Sequence, residues 1–293
     1  MESIMNWGIA VILWLQQFSP TLNLPFRALT FVGDEEFFLL FLPFLYWCLD
    51  RRSGARLTLL FLLSAYTNAL AKVLVDQPRP FEVDPRVQQL SAATGGGLPS
   101  GHTQNTTAVW GYLAFQHRRR WLWIAAGLLI LLVPLSRLYL GVHFPHDLLG
   151  GYVLGALLLL GYLWLEPSLE RWLAQQGLAR QLALALIAPL LLMLIFLTED
   201  GVTTGATLLG MGVGFVLERH QVGFDAGGAW WRRGLRFLLG LIVLIGLWGG
   251  LRAAFSGLEP ALLFRFLRYG LVGLWSAFGA PWVFVKLRLA QAR

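Results

Sequence analysis

Eight residues in three short blocks have the types and spacing to move a phosphoryl group. The first block, KVLVDQPRP, carries Lys72 and Arg79, with Pro80 following. The second, PSGH, carries Ser100, Gly101 and His102 after Pro99. The third, SRLYLGVHFPHD, opens on Ser136 and Arg137 and closes on His143 and Asp147. A phosphoryl group needs its equatorial oxygens neutralised. Arg supplies forked donors for that task and Lys a point charge. Ser100 has the position of a helix N-cap, and Gly101 lets backbone come close to a ligand. The first N–H groups of the helix that follows would then face an anion.

The third block divides the labour between two histidines. Pro145 suits the first turn of a helix, which puts His143 just before it and Asp147 inside that turn. A carboxylate there reaches back as in a capping box. It can hold one imidazole nitrogen protonated and leave the other free to attack phosphorus. His102, on another helix, can protonate the leaving oxygen, worth roughly 10²–10⁴-fold. His146 reads as a surface or interface histidine, and His117 and His220 as solvated residues of polar links. Two His with an Asp could instead ligate a metal ion. Three cations aimed at the same place would repel one, so neither a metal nor a cofactor is expected.

The elements that must position these residues are apolar. Of the 293 residues 57% are hydrophobic and 13% charged, and the mean hydropathy is +0.62. A water-soluble chain of this size could not bury so much apolar surface, so its solvent is lipid. The net charge of +7 is not a nucleic-acid signal, because the basic residues fall in short clusters between apolar runs. Nine runs read as candidate spans: 36–50, 57–75, 103–116, 121–136, 147–165, 181–198, 202–217, 235–252 and 261–285. Five alternate links, at 50–56, 117–120, 166–181, 218–236 and 286–293, hold 15 of the 23 Lys and Arg. The positive-inside rule makes that side cytoplasmic. The three chemical blocks fall on the opposite, cation-poor face, where charge is costly and needs a functional reason. The apolar part of the N-terminal stretch is too short to span and reads as an interfacial helix.

The expected fold is therefore an all-α polytopic transmembrane bundle of about nine spans plus an N-terminal interfacial helix. Its parts are that helix (1–30), a catalytic core (31–166) and additional spans of unassigned role (167–293). The single Cys48 permits no internal disulfide. Arg265 and Arg268 share a helix face near the noncytoplasmic end of the last span; they read as snorkelling cations, with extension of the anion site as the sharper alternative. Asp34, Glu35 and Glu36 read as charge balance or a helix cap rather than as chemistry.

In this order the three blocks resemble the signature of the type 2 phosphatidic acid phosphatase superfamily, K-x6-R-P, then P-S-G-H, then S-R-x5-H-x3-D. All eleven fixed positions are filled, within residues 30–165. The resemblance implies metal-independent phosphate-ester hydrolysis through a phosphohistidine. It makes His143 the nucleophile, Asp147 its orienter and His102 the general acid, with Lys72, Arg79, Ser100, Gly101 and Arg137 binding phosphate. The layout is also similar to the glucose-6-phosphatase and sphingosine-1-phosphate phosphatase branches. The expected substrate is a lipid phosphate or diphosphate, such as a polyprenyl diphosphate or phosphatidylglycerol phosphate. The alternatives are a soluble sugar phosphate, with loop 81–98 as lid and its Arg86 reaching the leaving group, and transfer to an acceptor other than water. Membrane lipids are the expected surroundings, nucleic acid is not a partner, and self-association stays open. The expected location is a bacterial inner membrane, with the site facing the periplasm.

Overall fold

A computed structural model describes residues 2–292; Met1 and Arg293 of the basic tail lie outside the described residues. Thirteen α-helices follow in chain order: α1 (Glu2–Gln16), α2 (Asn23–Phe31), α3 (Glu35–Phe44), α4 (Arg51–Val75), α5 (Pro80–Val83), α6 (Gly101–His117), α7 (Arg120–Tyr139), α8 (Pro145–Ala174), α9 (Leu178–Ile195), α10 (Glu199–Leu217), α11 (Trp230–Ala254), α12 (Ala261–Leu274) and α13 (Ala280–Lys286). Wider π-turns extend α3, α10 and α12. No β-strand forms among the described residues, only one bridge between Phe224 and Ala292. The chain is all-helical, as its composition predicts.

Among the described residues, seven helical stretches, beginning at Arg51, Arg120, Pro145, Leu178, Glu199, Trp230 and Ala261, are long and apolar enough to cross a membrane. Large side chains such as Leu160, Trp164, Leu194 and Ile242 stand exposed along them. A helix satisfies its own backbone, so in lipid such a surface is favourable. The chain is an integral membrane protein. The two remaining apolar runs fold into helices too short to reach that length. Glu35–Phe44 and its π-turn contain Pro43 and end at Asp50, about 22 Å at 1.5 Å per residue. Helix α6 has 17 residues and buries Thr103, Gln104, Asn105 and Thr106, which lowers its hydropathy.

The chain forms two compact units. The first comprises residues 1–38 and 67–165. Helices α6 and α8 meet here backbone to backbone. A Cβ added at Gly151 would lie 2.6 Å from the Ser100 carbonyl, and one at Gly155 would lie 2.8 Å from that of Gln104. Such small-x3-small spacing is how membrane helices approach closely without a large apolar side chain between them. Helices α1 and α2 pack on α7: Phe26 stacks on Tyr139 with ring centroids 4.3 Å apart, and the Tyr139 hydroxyl donates to Asn23 at 2.6 Å. Trp7, Trp14 and Phe18 stand exposed along this N-terminal segment.

The second unit comprises residues 39–66 and 166–293. Its core gathers Trp47, Phe224 and Phe284. The fully buried Arg236 spends its guanidinium on the carbonyls of Asp225, Ala226 and Gly227, and Arg51 pairs with the buried Glu218 at 3.1 Å. Arg265 pairs with Glu199 and reaches Thr203, while Arg268 lies over the Tyr269 ring.

Candidate active site

The three chemical blocks converge inside the first unit. The start of α8 is closed as its sequence predicts: the Phe144 N–H donates to Asp147 Oδ2 at 2.8 Å, the reach-back of a capping box. The same oxygen stands 3.3 Å from His143 Nδ1. The other, Oδ1, accepts from Gln77 Nε2 at 2.8 Å, and Gln77 Oε1 in turn meets His146 Nε2 at 3.0 Å. Both His143 and Asp147 are buried. His143 Nε2 makes no hydrogen bond among the described residues. The imidazole is therefore fixed by one nitrogen and open at the other.

His143 lies in the link between α7 and α8, beyond the end of either span. Burial pushes its imidazole well below the ordinary value, and Arg137, Arg79, Lys72 and His102 all push the same way. Four groups from three distant parts of the chain thus act on one ring.

Ser100 is the N-cap of α6, its hydroxyl accepting from the Thr103 N–H at 3.5 Å. Its own N–H donates to the Asp147 carbonyl at 3.0 Å, which ties the second block to the third. Behind it, Asn68 donates to the Pro99 carbonyl at 3.3 Å and to Gln104 at 2.8 Å. A Cβ on Gly101 would stand 2.9 Å from the Asn68 Oδ1, so this position has room only for backbone. Lys72 occupies the last turn of α4, half-buried.

The two arginines differ. Arg137, 3% exposed, donates from Nη1 to Thr30 Oγ1 at 2.6 Å, and its buried Nε has no partner among the described residues. A buried guanidinium with an unspent donor is costly unless an anion completes it. Arg79 is almost fully committed to backbone: Nε donates to Gly95, Nη1 to Val142, and Nη2 to Thr94 and Gly96. It brings charge to His143 and holds the loop before α6. Loop 81–98 is strapped down further by Gln16, which donates to the Gln88 carbonyl at 2.7 Å and accepts from its N–H at 3.0 Å. Arg86 turns to Asp84 at 2.6 Å and stays exposed.

One partner comes from outside all three blocks. Asp34 Oδ1 stands 2.6 Å from His102 Nε2. No spacing rule connects these residues, 68 positions apart, and the neighbouring Glu35 and Glu36 make Asp34 look like part of a helix start. His146, read from sequence as a surface or interface histidine, stacks on Phe144 at 5.2 Å and joins the Gln77–Asp147 network. Among the described residues, no group of three His, Cys, Asp or Glu side chains is placed to hold a metal ion.

The chain is similar in sequence to known proteins. The PAP2 superfamily model matches residues 53–171, and the model of its transmembrane extension, PAP2 superfamily phosphatase, matches residues 202–292. Glucose-6-phosphatase 3 of Bos taurus is 33% identical over 222 residues, which is 67% of this chain and 63% of that protein. Sphingosine-1-phosphate phosphatase 2 of Mus musculus is 34% identical over 141 residues, 46% of this chain and 40% of that protein. Lipid phosphate phosphatase delta of Arabidopsis thaliana is 29% identical over 187 residues, 58% of this chain and 44% of that protein. The chain thus spans less than two thirds of the length of each of these relatives. With both models matching in chain order, one on either side of residues 172–201, the chain belongs to the PAP2 superfamily.

Proposed function

We propose that this protein is a membrane phosphatase that hydrolyses a lipid phosphate or diphosphate through a phosphohistidine, without a metal ion. His143 Nε2 attacks phosphorus while Asp147 holds Nδ1. His102 gives a proton to the leaving oxygen and afterwards takes one from the attacking water. Lys72, Arg137 and the remaining N–H of Arg79 meet the equatorial oxygens, with Ser100 and the first backbone N–H groups of α6 from Gly101. The observation that carries the reading is Arg137, buried beside the nucleophile with a donor that nothing among the described residues accepts. Short helices α3 and α6 are proposed to cross with the seven longer ones, giving nine spans, so that the site faces the periplasm of a bacterial inner membrane. Residues 31–166 then form the catalytic core, with 167–293 as added spans. A lipid substrate enters sideways, its head among the cations and its tail in hydrocarbon.

The kinship with glucose-6-phosphatase 3 favours a second reading, hydrolysis of a soluble sugar phosphate. Purified protein in detergent, assayed by kcat/KM against a panel of lipid and sugar phosphates, separates the two. In either case His143→Ala must abolish phosphate release; release at the wild-type rate overturns the enzymatic reading.

A further inference from the structure

The general acid of the proposed reaction has neighbours that the three blocks do not supply. The corner between α2 and α3 grips the His102 ring from two sides. A Cβ on Gly33 would lie 2.8 Å from His102 Cδ2 and 2.9 Å from Val133 Cγ1, so bare backbone presses on the ring's carbon edge. The next residue, Asp34, meets Nε2 at 2.6 Å. Four residues before Asp34, Thr30 holds Arg137. An aspartate immediately before a helix ordinarily turns its side chain to cap that helix; Asp34 turns to the imidazole instead. His102 makes no hydrogen bond through Nδ1 among the described residues.

We infer that Asp34 is the positioning residue for His102, fixing its proton on Nε2 so that Nδ1 carries the one transferred to the leaving oxygen. The inference deepens the proposed function and rests on it. The groups that act on His102 are Asp34 from the α2–α3 corner, Lys72 from α4 and Arg137 from α7, with His143 coupled to it from the α7–α8 link. Among them Asp34 alone is an anion. An imidazole surrounded by cations keeps a second proton only against an opposite charge in contact. In the first step the bond from phosphorus to His143 Nε2 forms, and the bond to the leaving oxygen breaks. The proton on His102 Nδ1 passes to that oxygen. In the second step neutral Nδ1 takes a proton from water as the water oxygen bonds to phosphorus and the phosphorus–nitrogen bond breaks. His102 thus regains the proton it gave, and the cycle closes.

The test compares leaving groups. An alkyl phosphate needs protonation as it departs, whereas p-nitrophenol leaves well unprotonated. Asp34→Asn is expected to lower kcat on a dialkylglycerol phosphate by about 10²-fold or more, the worth of general acid catalysis. The loss on p-nitrophenyl phosphate should be only a few-fold, with KM little changed for either. The alkaline limb of kcat on the alkyl substrate should move to lower pH. Equal losses on both substrates, or no loss on the alkyl one, overturn the inference. If Asp34→Asn folds poorly, Asp34→Glu decides: the carboxylate on a longer arm should spare p-nitrophenyl phosphate and weaken only the alkyl reaction, and equal weakening overturns it. The two readings fail separately. Wild-type protein with no His143-dependent phosphate release defeats the phosphatase, whereas an active wild type with a substrate-blind Asp34→Asn defeats only the role of Asp34.

Discussion

Gln77 lies between the first block's lysine and arginine in sequence, yet its side chain belongs to the third block, donating to Asp147 Oδ1 at 2.8 Å. The carboxylate that orients the proposed nucleophile is thereby held at both oxygens, by an amide on one and by the Phe144 N–H on the other.

Replacing Gln77 with Leu should leave a buried carboxylate oxygen short of a donor, at a cost of about 1–3 kcal/mol. The melting temperature in detergent should fall. Because Asp147 then has freedom to rotate away from His143, kcat should fall while KM changes little. Steady-state kinetics beside the melting curve measure both.

Helix contact and chemistry are linked at Gly151. An alanine methyl there would meet the Ser100 carbonyl at 2.6 Å and Thr103 Cβ at 2.7 Å. Overpacking of this kind costs about 1–3 kcal/mol, and here it would also push the cap of α6 off its place. Gly151→Ala should lower both stability and kcat. Gly127→Ala, with nothing near its added methyl, is the control that should leave kcat unchanged and stability no lower.

The pH dependence follows from the sign of one shift. Burial first, then Arg137, Arg79, Lys72 and His102, push the His143 imidazole below its ordinary value. A base with a lowered pKa stays neutral, and so nucleophilic, until the pH falls through that lower value. The acid limb of kcat/KM assigned to His143 should therefore lie below the ordinary imidazole range. Arg137→Gln removes one of the cations, so the limb should move upward while activity drops. Profiles of kcat/KM from about pH 4 upward check this.

Metal dependence should be absent. Lys72, Arg79 and Arg137 gather where a divalent ion would have to sit, and like charges repel. Activity should survive prolonged incubation with EDTA. Loss that returns on adding a divalent ion would count against the phosphohistidine route.

Much of this site can be read along the chain because helix termini impose local spacing. Pro145 and Asp147 mark the first turn of α8, so the reach-back to Phe144 follows from two positions. Ser100 before Gly101 marks the cap of α6 in the same way. The partners that escape such reading are set by folding at long range. Asp34 meets His102 across 68 residues, and Thr30 meets Arg137 across 107. Arg79 offers a different lesson. Its guanidinium is spent on carbonyl oxygens, which every residue possesses, so no side-chain pattern could announce it. Helix α6 reads as an apolar run along the chain, yet its buried Thr103, Gln104, Asn105 and Thr106 make it a weak span by hydropathy.

The corner that holds Thr30, Gly33 and Asp34 lies upstream of the region shared with the superfamily's own model, which begins at residue 53. A recombinant fragment cut at that border would keep all eleven signature positions and look intact on paper. It would still present Arg137 without its hydroxyl and His102 without its carboxylate, so the smallest fragment worth expressing must begin well before Thr30.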